Sequence, residues 1–119
     1  MSRIALLRFA AALCFLAVAL GAFGAHALKA ALQSSGMLDV WNKAVLYHFL
    51  HGVALVALAL HGAGNRATYF LFAAGILLFS GSLYAMALSN IRWLGAVTPL
   101  GGLAFILGWA ALAWAALRS

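Results

Sequence analysis

Acidic side chains are almost missing: Asp39 is the one carboxylate among 119 residues, against seven Lys/Arg, for a net charge of +6. With no charge inside long stretches of chain, nothing marks an ion route in the usual way, and only histidines could titrate there near neutrality. The single cysteine, Cys14, can form no intrachain disulfide, says nothing about redox compartment, and reads as a packing residue. Proline occurs once, at Pro99, so any helix break away from it must come from glycine or polar residues. No glycine-rich loop is followed by lysine and serine or threonine, which removes a nucleotide cradle. The positive charges stand singly at the ends of apolar segments, where they snorkel toward headgroups; nucleic acid would want them clustered on one face.

What the chain has is hydrophobic length. Arg66, Arg92 and Arg118 enclose two uncharged runs of 25 residues each, 67–91 and 93–117. Upstream, 9–25 is a 17-residue run without charge, and 44–65 is a 22-residue run whose polar content is mainly His48, His51 and His61. About 20 apolar residues at 1.5 Å rise cross the hydrocarbon layer, so four crossings are expected. Backbone polar groups find no water in lipid, four segments cannot close a barrel, and strict period-2 alternation is missing, so the spans must be helical. The expected fold is all-α, a transmembrane four-helix bundle in a single domain over 1–119, with helices near 4–27, 40–61, 68–89 and 98–118. Arg3 and Arg8 before an apolar stretch ending Gly21-Ala22-Phe23-Gly24-Ala25 also resemble a cleavable signal peptide. A retained helix is preferred because the run reaches spanning length with its flanks.

Local chemistry sharpens the spans. Ala17, Gly21 and Ala25 form a small-residue stripe suited to close helix approach, as do Gly81 and the ridge Gly101, Ala104, Gly108. Leu28 and Leu32 hint at a surface-lying turn before the breaker Ser34-Ser35-Gly36. Asp39 offers an N-cap to the second helix with Lys43 as ion-pair partner, and Gly62, Gly64 and Asn65 supply the turn after it. Thr98-Pro99 reads as an N-cap followed by proline at the first helical position, leaving 91–97 as a connector or a kinked turn. Trp41 and Trp93 are expected at one interface, Tyr69 and Trp114 near the other. Both termini in the cytoplasm would put four Lys/Arg inside against three outside, Arg3, Arg8, Arg66 and Arg118 against Lys29, Lys43 and Arg92.

Gly21-Ala22-Phe23-Gly24-Ala25-His26, Tyr47 with His51, Leu78-Phe79-Ser80-Gly81-Ser82-Leu83-Tyr84, Thr98-Pro99-Leu100-Gly101-Gly102 and Gly108-Trp109 come one after another in order. This resembles the small bacterial membrane proteins grouped as domain of unknown function 423, a family that includes a small eukaryotic transmembrane protein. The resemblance covers nearly the whole chain; His48 lies outside its pattern. It implies a four-span integral protein of the bacterial inner membrane with no established activity.

Function must then be read from the polar residues inside the spans. His26 at the end of the first helix, and His48 and His51 one turn apart near the start of the second, are expected to approach one membrane surface. Their spacing puts His48 and His51 about 60° apart on one face, compatible with two metal ligands or with one ligand and one hydrogen-bond donor. His26 with His51 could hold haem or a metal; the plainer reading makes them interhelical hydrogen-bond partners of a carbonyl, Tyr47 or Tyr84. His61, about 15 Å further along, suits an interfacial cap. Ser80, Ser82 and Tyr84 bring hydroxyls into the third helix, and Thr98 with the following glycines could bare backbone donors to an anion, although packing is the simpler role. A serine–histidine hydrolase lacks both a suitable carboxylate and an oxyanion element, so no enzyme and no cofactor is expected. A structural or accessory role is favoured, with membrane lipid, another membrane protein or a second copy as partner and no nucleic acid. Transport by an oligomer, along His51, Ser80, Tyr84 and Thr98, is the alternative; haem or metal binding is the third reading.

Overall fold

A computed structural model describes residues 2–61 and 66–118. The turn expected at Gly62, Gly64 and Asn65 lies outside the described residues. Four helical segments among them are long and apolar enough to span: Arg3–Ala25, Leu38–His61, Arg66–Ser89 and Arg92–Arg118. Helix α1, Arg3–Ala25, starts where the Ser2 hydroxyl accepts the Ala5 N–H at 3.1 Å and stops at His26, whose backbone leaves helical geometry. The short α2, Lys29–Ser35, ends at Gly36, which takes φ +76° so that the Met37 N–H can return to the Leu32 carbonyl at 2.9 Å.

Helix α3, Leu38–His61, begins before Asp39, so that carboxylate lies inside the first turn, where the helix dipole favours it, and does not form the expected cap. No ion pair joins it to Lys43 among the described residues; at an exposed surface, holding two mobile side chains together gains little. The third span is α4, Arg66–Gly75, a π-helical turn, Ile76–Ser80, and α5, Gly81–Ser89, closed by Asn90 at φ 60°. A 3-10 turn, Arg92–Ala96, leads to α6, Thr98–Arg118. The expected threonine cap is replaced: α6 already includes Thr98, whose hydroxyl bonds to Ser82.

Helix α1 packs along α3, α3 along the π turn and α5, and α4 with the π turn along α6, which leaves α1 and α6 outermost. Ala10, Leu55, Tyr69, Phe72, Ile76 and Phe105 fill the middle and one end; Leu32, Met37, Trp41 and Ala87 close the other end beneath α2. Lipid tails are as apolar as leucine, so close contact and hydrogen bonds hold these helices, not burial from water. The stripe on α1 is corrected accordingly. Ala10, Ala17 and Gly24 are buried, Gly21 is half-buried, and Ala25 is exposed. Seven residues are two helical turns and return to one face, whereas Ala25 is rotated about 100° from Gly24.

Two glycines are required by what touches them. A Cβ on Gly24 would overlap the Trp41 indole, and one on Gly101 would overlap the backbone of Phe79. Gly108 lies under the Phe72 ring, 2.6 Å from where its Cβ would be. Gly81 does not belong with them: a Cβ there would meet only the end of Leu77 at 3.9 Å and the Ile76 carbonyl at 4.0 Å, both ordinary contacts. Gly101→Ala and Gly24→Ala should therefore each lower unfolding free energy in detergent by about 1–3 kcal/mol, since backbone or a pinned indole must move. Gly81→Ala should be neutral or add up to about 1 kcal/mol, by removing glycine from a helix.

Candidate functional site

The best-defined polar centre is His51. Its Nδ1 lies 2.8 Å from the Tyr47 carbonyl and its Nε2 3.1 Å from Trp109 Nε1. An indole N–H only donates and a carbonyl only accepts, so the two partners dictate the tautomer: Nδ1–H donates to Tyr47, and unprotonated Nε2 accepts from Trp109. A second proton would have to displace the indole. The imidazole is 2 % exposed, stacked on Phe105 at 3.6 Å between ring centres and met edge-on by Phe72 at 5.1 Å. Tyr47 contributes its carbonyl to this bond and its ring to the same enclosure, 4.7 Å from Phe79.

Nearer the α2 end, His48 Nδ1 meets the Tyr84 hydroxyl at 2.9 Å, and the Tyr84 ring packs 4.9 Å from Trp41. His48 Nε2 is buried and has no hydrogen-bond partner. Either the Tyr84 hydroxyl donates to Nδ1 or Nδ1–H donates to the hydroxyl, according to the tautomer. Ser80 donates to the Ala44 carbonyl at 2.8 Å, tying the π turn to α3. Ser82 lies 2.9 Å from the Phe79 carbonyl and 2.6 Å from Thr98. With Ser82 donating to Phe79, the Thr98 hydroxyl donates to Ser82 and joins α5 to α6. The i, i+4 pair Ser80 and Tyr84 thus faces α3, while Ser82 faces α6.

The three histidines do not converge. At 1.5 Å per residue His51 lies about 20 Å along α3 from its Leu38 end, near mid-bilayer, whereas His26 is exposed at the end of α1. Pairing His26 with His51 around haem or a metal does not fit, because His51 has both nitrogens engaged and lies about half a bilayer deeper than His26. Among the described residues no three His, Cys, Asp or Glu side chains lie together as a ligand group.

Several contributors to this polar network carry little signal in the sequence. Trp109 is visible there only as part of a motif; a lone indole donor inside a span, needing an acceptor, is the available clue. Trp41, expected at the interface, is 1 % exposed and donates to the Leu20 carbonyl at 2.9 Å. Tyr69 is also buried and donates to the Leu6 carbonyl at 2.6 Å. Arg3 reaches the Ala59 carbonyl at 3.0 Å and touches that of Leu60, so it caps α3. The bonds of Trp41, Tyr69 and Arg3 end on backbone carbonyls of another helix, for which sequence carries no signature.

A family model described as "Protein of unknown function (DUF423)" matches residues 20–102. The UPF0382 membrane protein YwdK of Bacillus subtilis is 46 % identical over 87 % of this chain and 88 % of its own length. UPF0382 membrane protein SERP0230 of Staphylococcus epidermidis is 44 % identical over 87 % of each. The UPF0382 inner membrane protein YgdD of Escherichia coli is 40 % identical over 95 % of this chain and 89 % of its own. No solved structure matches. Family model, relatives and four apolar helices agree: this chain is a membrane protein belonging to the DUF423 family of proteins of unknown function.

Proposed function

We propose that this protein is a structural or accessory component of the bacterial inner membrane, with both termini cytoplasmic, acting through contact with another membrane protein or a second copy. The observation that carries this reading is the closure of His51: neither nitrogen remains for a substrate, a metal or a relayed proton. Ser80, Ser82, Tyr84 and Thr98 are likewise spent on bonds between elements of the bundle. A conducting path would need His51, Ser80, Tyr84 and Thr98 around one lumen, but they serve three separate helix contacts. The orientation rests on Arg3, Arg8, Arg66 and Arg118 lying at one end and Lys29, Lys43 and Arg92 at the other.

His51→Ala removes a packed ring and strands the Trp109 donor, so unfolding free energy should fall by about 2–4 kcal/mol, with reduced accumulation in the membrane. His51→Gln, which keeps a donor and an acceptor, should recover part of that loss. Normal accumulation of either variant together with loss of a specific solute flux or redox activity would overturn the structural reading. A double-mutant cycle between Ser82→Ala and Thr98→Val should return a coupling of about 0.6 kcal/mol, the usual scale for a hydroxyl bond between membrane helices. Zero coupling would mean that α5 and α6 are held by packing alone.

A further inference from the structure

A groove of about 470 Å³ opens between α3, α4 and α6 on the lipid-facing side. Ala54 and Ala57 form its recessed wall, Phe72, Trp109 and Leu112 its other sides, and His61 stands at its outer end. From His61 to Ala54 is seven residues, so the groove enters the membrane by about 10 Å. Its deep end is firm, because the Trp109 indole is pinned by His51 and packs 4.7 Å from Phe72. A groove lined by apolar side chains from Ala54 to Leu112 and reaching His61 only at its outer end suits a hydrocarbon chain.

The outer end says what that chain is attached to. It lies at the end of the molecule that carries Arg3, Arg66 and Arg118, while the sole acidic side chain, Asp39, belongs to the opposite end. Arg3 is anchored on the last carbonyls of α3, beside His61. Arg66 opens α4, and Arg118 closes α6 with its guanidinium 6.0 Å from the Trp114 ring. The groove between Phe9 and Leu77, on α1, α4 and the π turn, is of similar size but has no polar residue among those that line it. We propose that the groove ending at His61 is a specific site for an anionic phospholipid. One acyl chain lies against Ala57 and Trp109, and the phosphodiester accepts hydrogen bonds from His61 and Arg66. This site stands apart from the proposed accessory role, since it uses the lipid-facing side of the bundle, with the Trp109–His51 bond serving only to hold one wall of the groove.

Trp109 provides the readout. In a Trp93→Phe, Trp114→Phe background the remaining indoles are Trp109 and Trp41, and Trp41 is sealed inside the bundle. The protein is placed in phosphatidylcholine vesicles containing phosphatidylglycerol, with dibrominated acyl chains on one lipid or the other. Brominated phosphatidylglycerol should quench Trp109 well beyond its share of the bilayer, and brominated phosphatidylcholine only in proportion to its share. Arg66→Gln should lower the relative association constant for phosphatidylglycerol about fivefold, the weight of one basic residue at an anionic surface. Ala57→Phe, which fills the groove, should remove the excess. Quenching in proportion to mole fraction for both lipids overturns the site without any appeal to the variants, as does an excess that survives Ala57→Phe.

Discussion

Hydrocarbon supplies no hydrogen-bond partner, so the donors and acceptors that this chain carries into the bilayer are costly unless another part of the same bundle answers them; among the described residues only two buried side-chain polar atoms, His48 Nε2 and Thr68 Oγ1, go unanswered. His51 shows the consequence most fully: one carbonyl and one indole consume both of its nitrogens and determine which of them carries the proton. The same demand ties Ser80 to Ala44, Tyr69 to Leu6, Trp41 to Leu20 and Arg3 to the end of α3. These bonds join neighbouring spans, so satisfying polar groups and fixing the arrangement of helices are one process.

Close approach makes the bonds reachable. The missing Cβ of Gly24 lets the Trp41 indole reach the Leu20 carbonyl, and that of Gly101 lets α6 rest on the backbone at Phe79. The π turn at Ile76–Ser80 adds a residue to one turn just where α3 and α6 both press on the third span. The extra residue rotates the remainder of that span by about 100°, so that Ser80 and Tyr84 face α3 and Ser82 faces α6. An unbroken α-helix would present these hydroxyls at other angles to both neighbours.

Histidines and hydroxyls can be picked out in the sequence because polar side chains inside an apolar run are costly and stand out. Their partners cannot. Sequence position suggests that His51 lies near one surface with His26; the rise of α3 carries it to mid-bilayer, where its partners are Trp109, 58 residues on, and its own turn. Tyr47 stands out for its hydroxyl, yet its carbonyl does the bonding. A four-residue stripe and a seven-residue repeat share Ala17 and diverge beyond it, which is why Ala25 looks like part of a packing face that belongs to Gly24. Residue type sends Trp41 and Tyr69 to the ends of their spans, but does not show that neighbouring helices bury both of them there.

The number of crossings, their helical character and the alternation of the two ends come from the amino-acid order alone, since hydrophobic length and charged flanks act locally against a slab of known thickness. Which residues meet across helices was decided by the fold. A hydrogen bond such as Trp109 to His51 depends on helix rotation and depth, both set by how every side chain along the contact packs, and no short stretch of chain contains that information.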